Sequence, residues 1–204
     1  MKATLFGLTG GIASGKSTVA KIFASCDIQT VDADQLSREV MAPGQQGYDY
    51  TVSIFGDEIL HKDGLIDRKL LGSKLFSKRS LKRTFERRMW EYIQERAWEL
   101  FETMDGPVCY EASMLVESGL WTLFRPLVVV MIPPEVQIER LMARNGFTRN
   151  EAKQRIAAQK PGNAIARADY LIRNDGDEAA LRSKALDFLS SKAFLDRCRL
   201  GHSV

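Results

Sequence analysis

Gly10-Gly11-Ile12-Ala13-Ser14-Gly15-Lys16-Ser17 fits the pattern G-x-x-x-x-G-K-[ST], the phosphate-binding loop of nucleotide triphosphatases and kinases. The apolar run Thr4-Leu5-Phe6-Gly7-Leu8-Thr9 before it reads as a buried strand, and Val19, Ala20, Ile22 and Phe23 after it mark a helix. A strand, the loop and a helix in that order are the context this motif requires. Glycines remove the Cβ atoms that would hold a phosphate away, and they admit unusual backbone dihedrals. Successive N–H groups can then turn toward an anion, while the helix adds its positive end and its unpaired first-turn donors. Within this pattern Lys16 reaches the β- and γ-phosphates of a nucleotide, and the Ser17 hydroxyl holds Mg2+. A plain glycine-rich turn before an ordinary helix is the alternative, and the flanking pattern speaks against it.

The rest of the composition narrows the class. A chain of 204 residues fits one domain, or one domain carrying an inserted subdomain, and is long enough to bury a core. A net charge of +3 suits an anionic ligand but is too weak to argue for nucleic acid. Cys26, Cys109 and Cys198 are odd in number and widely spaced, so they suggest neither a disulfide framework nor a zinc site. A reducing, cytoplasmic setting is expected from that usage. His61 and His202 are the two histidines, which excludes a histidine-cluster mechanism. The apolar stretch after Lys2 is broken by glycines and runs into Lys16, unlike an export signal. No run reaches the ~18 apolar residues of a membrane span.

Along the chain, Ile28-Gln29-Thr30-Val31 predicts a second strand ending in Asp32-Ala33-Asp34, with a helix over 35–41 stopped by Pro43-Gly44. Asp32 and Asp34 project to one side of an extended chain, at the strand end where open α/β sheets bind ligands. Two readings stay open for this pair: helix capping, with Asp32 and Gln35 in a capping box, or chemistry. Residues 43–75 alternate turns and short amphipathic pieces; Tyr50, Ile54 and Phe55 share one helical face, and Asp67-Arg68 opens a helix with Leu70, Leu71, Leu75 and Phe76 inward. Residues 77–102 carry a long charged helix with Leu81, Phe85, Met89, Tyr92, Ile93 and Leu100 as its stripe. Its arginines and lysine (Arg79, Lys82, Arg83, Arg87, Arg88) read mainly as a solvated face, including a Lys82–Glu86 pair.

Alternation of strands and helices then resumes. Pro107–Tyr110, ending at Glu111, and Leu127–Ile132 are strand candidates. Pro133-Pro134 opens a helix, and Thr148 with Glu151 forms a capping box for the next, which carries Lys153, Arg155, Gln159 and Lys160 and is halted by Pro161-Gly162. Tyr170-Leu171-Ile172 is the last strand, Asn174-Asp175-Gly176 a turn, residues 177–192 a final helix, and 197–204 a frayed polar tail. These elements predict an α/β, P-loop NTPase-type three-layer fold: a five-stranded parallel sheet with helices on both faces. Its core spans about 1–42 and 105–192, with a helical substrate-binding insertion at about 43–104 and a lid at about 140–162.

A phosphate loop alone does not select a reaction. No Asn-Lys-x-Asp run for reading guanine occurs, and the chain is too small for a motor with a separate force-transmitting domain. Arg140, Arg144, Arg149 and Arg155 flank the Asn145-Gly146 turn between two helices, as in a kinase lid. Guanidinium groups fixed there stabilise the charge that builds on a transferring phosphoryl group.

The chain resembles the dephospho-CoA kinase family. The opening Gly7–Ser17 is similar to the family's first signature, and Val31-Asp32-Ala33-Asp34 with Arg38-Glu39-Val40 to its second. Similarity continues in Pro43-Gly44, Phe55-Gly56, Asp63-Gly64, Asp67-Arg68, Glu117–Leu120, Arg140–Arg144, Arg155–Gln159, Ala168-Asp169 and Asn174–Gly176, over roughly residues 5–185. The resemblance implies transfer of the γ-phosphoryl group of ATP, with Mg2+, to the ribose 3′-hydroxyl of dephospho-CoA. Gly11, Ile12, Ala13, Ser14, Gly15, Lys16, Ser17 and Thr18 would hold the donor nucleotide, with Arg144, Asn174 and Gly176, the last two beside the adenine. Asp34 would be the base that accepts the hydroxyl proton, with Lys16 and Arg140 as the other catalytic groups. Asp32 would support Mg2+ or the position of Asp34. Small-molecule partners are implied; neither nucleic acid nor membrane is, and the oligomeric state is left open. A kinase of this build with a nucleoside or nucleotide acceptor, or a silent nucleotide-binding protein, are the alternatives.

Three positions depart from the family pattern. Ala13 stands where glycine is usual, which requires a negative φ there. Trp90-Glu91 and Ile93-Gln94 stand where the family has His-Pro and Ile-Arg. Glu111-Ala112-Ser113-Met114-Leu115 replaces an Asp followed by Pro-Leu-Leu. The second and third are expected to touch acceptor recognition.

Overall fold

The computed structural model describes residues 3–200 except Lys78 and Lys160, and omits the side chains of Phe76, Ser77, Arg79, Pro161, Arg199 and Leu200. The inward placement of Phe76, the basic contributions of Arg79 and Lys160, and the end of the polar tail therefore lie outside the described residues. The chain folds as two units: Met1–Asp32 with Phe101–Val204, and Ala33–Leu100.

The first unit is built on five parallel strands: β1 (Ala3–Gly10), β2 (Gln29–Asp32), β3 (Gly106–Glu111), β4 (Leu127–Met131) and β5 (Tyr170–Arg173). Their order is β2-β3-β1-β4-β5. β1 is the middle strand, buried along nearly its whole length, which explains why its sequence is continuously apolar rather than alternating. Its carboxyl end delivers the chain into the glycine-rich loop, and α1 (Lys16–Ala24) leaves from there.

One face of the sheet presents Phe6, Leu8, Cys109, Val128, Val130 and Ile172 to Val19, Ala20, Ile22 and Phe23 of α1. Leu181, Ala185 and Phe188 of α9 (Glu178–Leu189) and Phe194 of α10 (Lys192–Leu200) complete that layer. Phe188 meets the rings of Phe6, Phe23, Phe194 and Tyr170 at 5.2–5.6 Å between centroids. On the other face, Tyr110 stacks on Phe124 at 4.4 Å, and Phe101 packs edge-on against both. Residue Gly7 of β1 has no room for a side chain there: a Cβ would lie 2.8 Å from Leu115 and 2.9 Å from the Phe124 carbonyl oxygen.

After β4 come α6 (Pro134–Asn145), α7 (Arg149–Ala158) and the short α8 (Pro161–Ile165). Pro134 begins α6, and Gly146 closes it at a φ of 67°. The Thr148–Glu151 capping box of α7 forms as predicted, and donation by the Thr148 N–H and hydroxyl holds the Glu151 carboxyl below its usual range. Two expectations fail nearby. Pro161 opens a further helix rather than only halting one, since its missing N–H costs nothing at a first position. The helix predicted over 177–192 is α9, ending at Leu189, but it is not the last: α10 follows Ser190-Ser191 and takes in residues 197–200 of the expected tail, with Phe194 drawn into the core.

The second unit contains α2 (Ala33–Glu39), α3 (Gln46–Phe55), α4 (Arg68–Ser77) and most of α5 (Arg79–Glu102). Val40, Met41, Ile59, Ile66, Leu71, Leu75, Phe85, Met89 and Tyr92 form its core. Its boundary falls about ten residues earlier than predicted, because α2 is tied to this unit: Arg68 donates to the Ser37 carbonyl and Arg96 faces Glu39 at 3.7 Å. The Lys82–Glu86 pair is present at 3.7 Å, on an exposed face. No helix among the described residues is long and apolar enough to cross a membrane.

Removing the Phe188 ring should leave a cavity under four aromatic neighbours. We expect Phe188→Ala to lower the unfolding free energy of the first unit by about 3–5 kcal/mol. Denaturant titration followed by near-ultraviolet circular dichroism checks this; a loss under about 1 kcal/mol would show the ring cluster to be dispensable.

Candidate active site

The site begins with an unusual helix start. Gly15, at a φ of 93°, is the N-cap of α1, and Lys16 is its first residue. Ser14 N–H donates to the Gly11 carbonyl, and the Thr18 and Val19 N–H groups to that of Gly15. Among the described residues no acceptor meets the N–H groups of Ala13, Gly15, Lys16 and Ser17. Unpaired N–H groups gathered at a glycine-rich loop and the first turn of a helix, where the helix end is positive, form a ready anion site. The Ser14 hydroxyl is also buried with no partner among the described residues. Close packing explains two glycines. A Cβ on Gly10 would approach the Val130 carbonyl oxygen to 2.7 Å, and one on Gly15 would collide with the Asn174 amide.

Lys16 is 8% exposed, and its ammonium lies 2.5 Å from Glu111 Oε1. The Ser17 hydroxyl donates to the same oxygen at 2.9 Å. Sheet register explains the meeting: Glu111 is the last residue of β3, beside Leu8 of β1 on one side and Asp32 of β2 on the other. Two carboxylates thus end adjacent strands next to the loop. Complete burial, with the Glu111 charge adding to it, pushes the Cys109 thiol well up, which keeps it protonated.

This arrangement corrects one expectation. Glu111 was read as part of an altered acceptor region; its carboxylate instead grips the two donor-loop side chains, Lys16 and Ser17. An acidic residue closing an apolar strand was the available signal, since such a residue commonly holds the metal beside a phosphate loop. The donor set of Ser17 Oγ, Glu111 and neighbouring Asp32 is all oxygen. That suits Mg2+, which keeps several waters and takes one or two carboxylates plus substrate phosphates.

A second correction concerns Ala13. Its φ is +59°, the left-handed conformation that was expected to be avoided. Its methyl packs with Ile12 against Ile138, Leu141 and Ala152, which offsets the strain.

Asn174 leaves β5 buried, takes the Met131 carbonyl through its N–H, and donates its amide to the Ser14 carbonyl at 2.7 Å. It therefore braces the loop from behind. The exposed Gly176 follows, in a segment pinned by Lys184, which bonds the Arg173 carbonyl and Asp175 and lowers the Asp175 carboxyl. On α6, Gln137, Arg140 and Arg144 stand at i, i+3 and i+7 and share a stripe. Gln137 donates to the Ile12 carbonyl at 2.6 Å, so that stripe faces the loop at its first turn. Arg140 is half-buried, and no hydrogen bond or ion pair among the described residues engages it. Arg144 is exposed and bonds Asn145. Arg149 pairs with Glu135, and Arg155 lies over the Phe147 ring at 4.0 Å, so those two are structural.

Asp32 and Asp34 part at the boundary between the units. Asp34 lies in the first turn of α2, and the Gln35 side-chain amide donates to Glu39.

Comparison with known proteins decides the family. A model of the dephospho-CoA kinase family matches residues 4–180. The chain belongs to the dephospho-CoA kinase family. A curated dephospho-CoA kinase of Geobacter sulfurreducens is 40% identical over 185 residues, covering 88% of this chain and 94% of that protein. A crystal structure from Thermus thermophilus superposes with a TM-score of 0.82 at 26% identity, over 93% of this chain and 97% of the other. The fold is also that of a dephospho-CoA kinase from Campylobacter jejuni, TM-score 0.71 at 24% identity over 95% and 99% of the two chains.

Within this dephospho-CoA kinase-family chain, the left-handed Ala13 gives a test. Alanine costs about 1–2 kcal/mol more than glycine in that conformation, against about 0.4–1 kcal/mol of unfolded-chain entropy and a methyl's packing. Ala13→Gly should leave stability within about 0.5 kcal/mol, where alanine-to-glycine changes elsewhere cost about 0.5–1 kcal/mol. Urea midpoints read the difference.

Proposed function

We propose that this chain is an ATP-dependent kinase that phosphorylates the ribose 3′-hydroxyl of dephospho-CoA, giving CoA and ADP in the final step of CoA biosynthesis. The observation that carries the donor half is the set of N–H groups on Ala13, Gly15, Lys16 and Ser17 that no acceptor meets among the described residues, next to a buried lysine held by Glu111. Family membership carries the acceptor half.

ATP lays its phosphates along the loop, where the free N–H groups and the start of α1 meet negative charge. Lys16 turns from Glu111 toward the β- and γ-phosphates, a swing its four-carbon stem allows. Ser17 and Glu111, with Asp32, would hold Mg2+, which would neutralise phosphate charge. Arg140, the half-buried cation on the loop-facing stripe of α6, donates to the transferring phosphoryl group. Arg144, one turn further along, binds the nucleotide phosphates, with Asn174 and Gly176 beside the adenine. Charge spreads over the equatorial oxygens during transfer, so these fixed donors bind the transition state more strongly than the ground state. Asp34 accepts the proton of the 3′-hydroxyl as its oxygen attacks. The bond from the γ-phosphorus to the bridging oxygen breaks, and ADP leaves. The reading places the protein in the cytoplasm, where ATP and dephospho-CoA occur.

A coupled ADP-release assay across dephospho-CoA, nucleosides and nucleoside monophosphates tests the acceptor. Dephospho-CoA should give the fastest turnover; equal or faster turnover with another acceptor would overturn the assignment. Asp34→Ala should lower kcat by about 10²–10⁴-fold while ATP affinity changes little, and unchanged turnover would remove Asp34 as the base.

A further inference from the structure

Both polar groups of a single peptide residue in the phosphate loop are held by glutamines. The Ile12 N–H donates to Gln159 Oε1 at 2.6 Å, and the Ile12 carbonyl accepts from Gln137 Nε2 at 2.6 Å. The two amides come from consecutive helices: Gln137 from the first turn of α6, and Gln159 from the residue that caps α7. Their orientation is fixed by the partners, since an N–H requires the amide oxygen and a carbonyl requires the amide nitrogen. They also explain Gly11, where a Cβ would stand 2.9 Å from Gln137 Nε2 and 3.5 Å from Gln159 Oε1.

The position of this peptide is what gives the clasp a use beyond stability. Ile12 is the residue before left-handed Ala13, whose N–H begins the run left for phosphate. Rotating the Ile12 peptide would carry the Ala13 N–H with it. Gln137 also heads the stripe that continues to Arg140 and Arg144. The Gln137 bond, on the Ile12–Ala13 peptide, therefore sets the aim of the first phosphate donor and the distance of the lid arginines from the loop, while the Gln159 bond fixes the preceding Gly11–Ile12 peptide. Long amide side chains lose much rotamer freedom when held this way, so the arrangement is not a low-cost filler.

We propose that Gln137 and Gln159 are positioning residues for phosphoryl transfer, clasping the two peptides that meet at Ile12 so that the loop donors and Arg140 address the same phosphoryl group. The proposal rests on the kinase reading above. It assigns the clasp to alignment in the transition state, while Lys16 and the remaining N–H groups supply ATP affinity. A misalignment near 1 Å costs up to about a hundredfold in rate.

The two amides use opposite ends, and this makes the test directional. Gln159→Glu keeps an acceptor oxygen for the Ile12 N–H, whereas Gln159→Leu removes it. Gln137→Glu sets a carboxylate against a carbonyl, and Gln137→Met removes the donor at similar volume. We expect Gln159→Glu to hold kcat within about threefold. Gln159→Leu, Gln137→Met and Gln137→Glu should each lose about tenfold to a hundredfold in kcat, with the KM for ATP changed less than about threefold. The Gln137→Met/Gln159→Leu double variant should fall little below the worse single, because both bonds fix the same residue, Ile12, through the peptides on its two sides. Equal loss in Gln159→Glu and Gln159→Leu, or losses carried by KM rather than kcat, would overturn the proposal. Gln159 is only half-buried, so its pair of variants decides the matter even if the buried Gln137 variants do not fold. Absence of wild-type turnover on dephospho-CoA would count against the kinase reading instead. The clasp is then read by hydrogen exchange of the Ile12 amide, slow in wild type and Gln159→Glu and fast in Gln159→Leu; equal rates in all three would overturn it.

Discussion

A lysine in the first turn of a helix is poorly placed. The helix dipole is positive there, and burial adds a desolvation cost. Lys16 occupies that position, and the Glu111 carboxylate is what makes it tenable. Glu111 can reach it only because β3 lies beside β1 in the sheet and ends at the level of the loop. The strand order, with β1 in the middle, is thus bound to the chemistry: it brings an acidic strand end to the one cation that the loop cannot satisfy alone. A phosphate would relieve the same electrostatic conflict more completely, since it answers the lysine, the helix start and the unpaired N–H groups together.

Support for the loop comes from every side of the first unit. Asn174 braces the Ser14 carbonyl from β5, and Val130 of β4 stands against Gly10. Ile138, Leu141 and Ala152 pack on Ile12 and Ala13. With its carbonyls taken by protein donors, the loop offers mainly N–H groups outward. That division separates an anion site from an ordinary turn, in which both kinds of group meet water. The strained Ala13 belongs to the same scheme: backbone strain persists where surrounding contacts over-determine it.

Much of this fold is legible in the sequence, for identifiable reasons. The inner strands β1, β3 and β4 stand out because buried parallel strands need apolar runs, while the edge strands β2 and β5 are short and largely exposed; the capping box of α7 is a local hydrogen-bond pattern that spacing reveals. The phosphate loop is legible because backbone geometry dictates its glycines. The break at Ser190-Ser191 is not, since it depends on Phe194 finding Phe6 and Phe188 across the core. The placement of α2 with the helical unit likewise follows from Arg68 and Arg96, residues distant in sequence. At the site, Lys16 and Ser17 are found by motif, yet Glu111 becomes intelligible only through sheet register. Gln137 and Gln159 carry no spacing signal at all, because what joins them is a peptide more than a hundred residues away.

The Glu111 side chain spans the gap between the end of β3 and the loop, so that one carboxylate oxygen meets both Lys16 and Ser17. The end of β3 therefore bears on how the donor loop is held, and the residues that follow it, Ala112 and Leu115, are buried as packing partners. A mutual hold of this kind is stable only while nothing more negative is present. Two charges removed from water gain little net stability from each other, and a partner with several anionic oxygens competes well for the lysine. The ion pair at the centre of the loop is consequently one that a polyphosphate can open, while the hydrogen bonds from Asn174, Gln137 and Gln159 keep the loop in shape as it does so.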